Sequence, residues 1–134
     1  MIAVDTHILC YYWLPSPRSA QAEALAQRDP VWLVPPLWRS EFRNALAGAV
    51  RQRVITIADA IELLQRAERQ LRQHERQVSS RTVMDLVAAS SCTAYDCEFV
   101  AVAREQGAPL ISANRQILRE FPHLAVSLDV FLAS

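Results

Sequence analysis

Four polar side chains stand at the edges of apolar runs: Asp5 after Ile2-Ala3-Val4, Glu41 just ahead of an apolar helical stripe, Asp96 at the head of an apolar helix, and Asn114 after Pro109-Leu110-Ile111. Three are carboxylates, which repel one another at a shared buried site unless a cation neutralises them. Oxygen donors of this kind suit a hard divalent ion, Mg²⁺ or Mn²⁺, which keeps several of its waters. Such an ion can activate a water and stabilise charge on a phosphoryl group in flight, which is the chemistry this set could do. Each residue also has an ordinary role when taken alone. Asp5 suits a turn, Glu41 could pair with Arg39 or Arg43, Asp96 complements a helix dipole, and Asn114 is a good N-cap. It is the set that points to function.

The elements that must position these residues follow from periodicity. Ile2-Ala3-Val4, Val31 to Val34, Pro109-Leu110-Ile111 and Leu124 to Val126 read as short buried strands. Between them the sequence predicts helices over Leu9–Leu14, Arg18–Arg28 and from Pro35-Pro36 to about Gln52, the last with Phe42, Ala45, Leu46, Ala49 and Val50 on one face. Thr56 with Asp59 resembles a capping box opening a further helix. Val78 to Ser80 reads as a connection or short strand, Arg81 to Ser91 as a helix, Asp96 to Gln106 as a helix stopped by Gly107, and Asn114 to Phe121 as a short helix before an apolar tail. Continuous apolar strands alternating with helices imply an α/β fold in three layers, α/β/α, around a central parallel sheet. Function in such sheets sits outside the carboxyl ends of the strands, where strand order reverses. That places Asp5 and Ser112-Ala113-Asn114 at the functional edge.

Composition narrows the class. A chain of 134 residues with 51% hydrophobic and 21% charged residues fits one globular domain spanning residues 1–134. Acidic and basic residues balance at 14 each, and every basic residue is Arg. Guanidinium suits phosphate, but the balance gives no general pull towards nucleic acid. Cys10, Cys92 and Cys97 have no paired spacing and read as buried thiols of a reducing, cytoplasmic setting. No signal peptide and no membrane-spanning run is read here. There is no glycine-rich phosphate loop after the first strand, which argues against a nucleotide-binding domain of that kind. Glu62–Arg66 and Glu68–Arg72 have the spacing of favourable pairs along a solvated helix face. His7, His74 and His123 show no ligand spacing to one another.

Val4-Asp5-Thr6, Ser40-Glu41-Phe42-Arg43-Asn44-Ala45-Leu46, Tyr95-Asp96-Cys97 through Val100-Ala101-Val102-Ala103, and Pro109-Leu110-Ile111-Ser112-Ala113-Asn114 occur in order across the chain. Together they resemble the PIN-domain family, and more narrowly the VapC-type toxin ribonucleases. The resemblance implies a Mg²⁺- or Mn²⁺-dependent endoribonuclease, usually a homodimer, held inactive by a cognate antitoxin. By position it makes Asp5, Glu41 and Asp96 the acidic catalytic and metal-site residues, with Thr6 and Ser112 as supporting hydroxyls. Asn114 stands where the family usually has a fourth Asp. Its carbonyl oxygen could face a metal or its water, but it brings no charge. The alternative is therefore a weakened or inactive PIN-like module that binds RNA or protein. Arg39, Arg43 and Arg115 lie near these positions in sequence and are candidate phosphate contacts for RNA.

Overall fold

Apolar runs too short for helices become strands where breakers bound them. The computed structural model describes residues 1–134. In it β1 (Ile2–Val4), β2 (Trp32–Leu33), β3 (Leu110–Ser112) and β4 (Ala125–Ser127) form one parallel sheet in the order β2-β1-β3-β4. β1, β2 and β3 are buried throughout, as a sheet covered on both faces requires. Ala3 lies opposite Leu33 on one side and Leu110 on the other. Strand order therefore reverses at β1, between β2 and β3, and the crevice at that reversal opens at the strands' carboxyl ends.

Eight helices complete a three-layer α/β/α fold: α1 (Thr6–Trp13), α2 (Ser19–Arg28), α3 (Trp38–Arg51), α4 (Ile57–Leu71), α5 (Ser80–Ala88), α6 (Ala94–Gln106), α7 (Arg115–Glu120) and α8 (Leu128–Ala133). α6 is the apolar one. Phe99, Val100, Ala101, Val102 and Ala103 are all buried as it packs against α5, β1 and β3. α1 packs against α2, α3 and β3. Trp32, Trp38 and Phe42 are the largest side chains wholly inside.

Three helix starts differ from expectation by more than one residue, and a side-chain cap explains two of them. α1 begins at Thr6, directly after β1, because the Asp5 carboxylate accepts the Ile8 N–H at 3.2 Å. α6 begins at Ala94, because the Thr93 hydroxyl accepts the Asp96 N–H at 3.1 Å. Asp96 thus lies in the first turn rather than at the head of the helix. Pro35 and Pro36 form a turn ahead of α3, whose first residue is Trp38. Val78 and Ser79 are connection, and the strand-like contact falls earlier, where Glu75 bridges Val34. The apolar tail is helical, capped by Ser127. The Thr56–Asp59 capping box forms in both directions. Gly107 ends α6 in the left-handed conformation at φ 63°, where a side chain would be strained.

The pairs expected along α4 do not form. Glu68 reaches across to Arg39 at 2.8 Å, and Arg66 lays its guanidinium over the Trp13 ring, 5.5 Å from the centroid. A partner on a neighbouring helix wins because one end of each pair is already half-buried there.

Candidate active site

The core admits only two polar or charged side chains, Asp5 at 4% exposure and Ser112 fully buried, and they are bonded to each other. Ser112 Oγ donates to Asp5 Oδ2 at 2.6 Å across the β1–β3 switch point. The Ala113 N–H donates to the same oxygen at 3.1 Å, while Oδ1 takes the Ile8 N–H. A buried carboxylate is costly unless it is hydrogen-bonded. Three donors fix this one and still leave lone pairs for a ligand. Ser112 Oγ also accepts the Asn114 N–H at 3.0 Å, so one hydroxyl ties the β3–α7 turn to Asp5.

Glu41 approaches from α3. Its Oε1 accepts a short hydrogen bond, 2.5 Å, from Thr6 Oγ1 in the first turn of α1. Asp96 approaches from α6, and its Oδ2 accepts from Asn114 Nδ2 at 3.4 Å. The orientation of the Asn114 amide is dictated by its cap. Oδ1 accepts the N–H groups of Gln116 and Ile117 at 2.9 and 3.1 Å, so the nitrogen must face Asp96. Asn114 therefore turns a donor, not an oxygen, towards the acidic cluster.

The three carboxylates act on one imidazole. His7 Nδ1 lies 3.9 Å from Asp5 Oδ2. Interaction with the Asp5 side chain holds the His7 pKa above the usual imidazole value; burial opposes this, and the charges of Asp5, Glu41 and Asp96 reinforce it. Burial, aided by Glu41's charge, pushes Glu98 above the usual carboxylate range. The carboxylates contribute to both shifts, a concentration of negative charge that a cation would relieve.

No three His, Cys, Asp or Glu side chains are gathered closely enough here to enclose an ion by themselves. A hydrated hard cation does not need that, since one or two carboxylates with waters suffice. The oxygen-only donors Asp5, Glu41 and Asp96 fit such an ion, with Thr6, Ser112 and Ala113 already orienting two of them.

Of the three arginines singled out, two face elsewhere. Arg39 and Arg43 sit two residues either side of Glu41, and two residues along a helix is more than half a turn. Arg39 pairs with Glu68 and Glu75, at 2.8 and 3.0 Å. Arg43 borders an apolar groove between α3 and α4, beside Leu46 and Ile57. Arg115 is exposed directly after Asn114.

Beside the acidic cluster, a cleft of about 450 Å³ opens between α1 and α3, reaching from Thr6, His7 and Glu41 to Tyr95. His7 and this cleft escaped the sequence reading. The three histidines have no ligand spacing to one another, but His7 stands two residues from Asp5. The helical spacing of Leu37, Glu41, Asn44 and Ala45 on one face of α3 was the signal for the cleft.

The chain is thus a three-layer α/β/α domain with a parallel sheet and acidic side chains at the carboxyl edge of that sheet. The family model of the PIN domain matches residues 2–124, and the chain belongs to that family. PIN domains are generally nucleases that use divalent metal ions. The fold is similar to the crystal structure of PAE2754 from Pyrobaculum aerophilum (TM-score 0.76, 19% identity, covering 98% of this chain and 93% of that one). It is also similar to a toxin-antitoxin complex from Klebsiella pneumoniae (TM-score 0.71, 16% identity, covering 96% of this chain and 98% of that one). No curated protein sequence matches the chain significantly. No helix is long and apolar enough to cross a membrane.

Proposed function

We propose that this chain is a Mg²⁺- or Mn²⁺-dependent endoribonuclease, the toxin of a cytoplasmic toxin–antitoxin pair, working as a homodimer. The observation that carries the nuclease reading is the buried Asp5–Ser112 pair at the switch point, the one place where the core accepts a charge. A protein retains such a group at a cost in stability when the site needs it. The antitoxin partner rests on the likeness to the toxin-antitoxin complex and on the family; the RNA substrate rests on the family.

A divalent ion bound here would polarise the scissile phosphate and lower the pKa of an attacking water. Asp5 and Asp96 would hold that ion directly or through its waters. Ser112 and the Ala113 N–H keep Asp5 from rotating away. Glu41, steadied by Thr6, would contact the ion or receive the proton of the attacking water. Arg115 is the arginine best placed along the chain to meet a substrate phosphate.

One observation favours the second reading, a weakened or non-cleaving binding module. The amide nitrogen of Asn114 occupies the side of Asp96 where a fourth carboxylate would add charge for another ion. The experiment that separates the readings is cleavage of a labelled RNA by the purified, partner-free chain with Mg²⁺ or Mn²⁺, with chelator, and in Asp5→Ala. Metal-dependent cleavage that disappears in Asp5→Ala supports the nuclease. Binding without cleavage under every metal supports the module.

A further inference from the structure

The cleft beside the acidic cluster has a chemistry of its own. Its α3 wall is the stripe Leu37, Ser40, Glu41, Asn44, Ala45, and its α1 wall includes Cys10. Thr6, bonded to Glu41, and His7 line it too, as does the largely exposed Tyr95. No arginine lines it. The Cys10 thiol is held neutral, pushed up to about 11 by burial first and by the charges of Asp5 and Glu41 second. A phosphate has no arginine to meet inside this cleft, only His7 beside Glu41, and a carboxylate to avoid. A flat neutral group meets apolar walls at Leu37 and Ala45 and exposed polar edges at Ser40 and Asn44. Tyr95 is 63% exposed, the one aromatic ring among the large exposed hydrophobic side chains. It directly precedes Asp96 on α6, so its position is tied to the acidic cluster.

We infer that this cleft is a base-binding subsite, in which an unpaired nucleobase next to the scissile phosphate stacks on Tyr95 and has its polar edge read by Asn44 and Ser40. This deepens the ribonuclease reading and rests on it for the placement of the phosphate. The phosphate and the base of one nucleotide then occupy adjoining ends of one cleft, the acidic end with its ion and the neutral end with its aromatic. Duplex bases are stacked and paired and cannot enter, so the substrate is single-stranded at this position. Asn44 presents both a donor and an acceptor, which can distinguish bases by their hydrogen-bonding edges.

The experiment is a titration of the full chain with a fluorescent single-stranded RNA, Ca²⁺ replacing the cleavage-supporting ion. It compares the native chain with Tyr95→Ala, Tyr95→Phe and Asn44→Ala, and the RNA with its duplex and with abasic copies. Loss of one stacked base weakens binding by roughly tenfold. The expected result is that loss in Tyr95→Ala, near-native binding in Tyr95→Phe, and no further loss when Tyr95→Ala meets an RNA abasic at the matching position. Asn44→Ala is expected to change which base is preferred next to the cut in a parallel Mn²⁺ cleavage assay. Equal binding by Tyr95→Ala and the native chain overturns the inference, as does equal binding of duplex and single strand. Tyr95-dependent binding with no cleavage under any metal leaves the subsite standing and removes the nuclease reading. Cleavage indifferent to Tyr95 and Asn44 does the reverse.

Discussion

Replacing Ser112 with Ala tests whether Asp5 is held as described. Ser112 Oγ donates to Asp5 Oδ2 at 2.6 Å and accepts the Asn114 N–H at 3.0 Å, in a place with no solvent. A hydrogen bond to a charged group contributes about 1.5 to 3 kcal/mol, and the stranded N–H adds about 1. Asp5 keeps the Ala113 and Ile8 N–H groups, which moderates the loss. The expected cost is about 2 to 3 kcal/mol. With a urea m-value of roughly 1.5 kcal/mol/M, the midpoint falls by roughly 1.3 to 2 M with the slope unchanged. Equilibrium unfolding by urea, followed by circular dichroism without metal, reads this directly. A double-mutant cycle with Asp5→Ala isolates the pair. Once the carboxylate is gone, Ser112→Ala should cost only about 1 kcal/mol, leaving a coupling of roughly 1.5 kcal/mol. An unchanged midpoint, or additive single costs, would refute the reasoning that this hydroxyl serves the buried carboxylate.

Asn114→Asp should keep the cap on α7, since Asp caps as well as Asn, while deleting the donor to Asp96 and adding a second charge beside it. Without metal the variant is expected to melt lower than the native chain, and with Mn²⁺ to gain more than the native chain does; thermal melts with and without Mn²⁺ check both. Arg39→Ala should cost about 1 kcal/mol through its lost bridges to Glu68 and Glu75, yet leave kcat/KM for RNA within about twofold, because Arg39 faces α4 rather than the acidic cluster. The thiols give a pH test. Cys10 and Cys92 are raised from 9.0 to about 11, chiefly by burial. The folded chain holds these protons more tightly than the unfolded one. Their contribution to stability is therefore complete below pH 9 and lost as pH rises towards 11, where urea midpoints should fall. Iodoacetamide at pH 8 should label them far more slowly in the folded chain than in urea.

The fold was legible because the strands are short apolar runs ended by Asp5, Pro35 and Asn114, with amphipathic segments between them. Boundaries set by side-chain caps were less so. Asp5 and Thr93 each start a helix earlier than the apolar pattern does, because the cap satisfies N–H groups that periodicity ignores. The convergence of Asp5 with Ser112 at one sheet edge followed from strand logic. The contacts that tune the cluster did not. Thr6 with Glu41 spans 35 residues and Asn114 with Asp96 spans 18, and nothing local in the sequence links them. Arg39 and Arg43 looked near Glu41 along the chain, but the helical turn carries them to the opposite face. The orientation of the Asn114 amide needed the geometry of its cap.

The most direct test of the central claim is Mn²⁺ binding to the metal-free chain, followed by electron paramagnetic resonance of the free ion, beside Asp5→Asn and Asp96→Asn. The expected result is saturable binding of one Mn²⁺, displaced by Mg²⁺ and weakened at least about tenfold in each variant. Failure of the native chain to bind Mn²⁺, or equal binding by all three proteins, would contradict a metal centre built on these carboxylates.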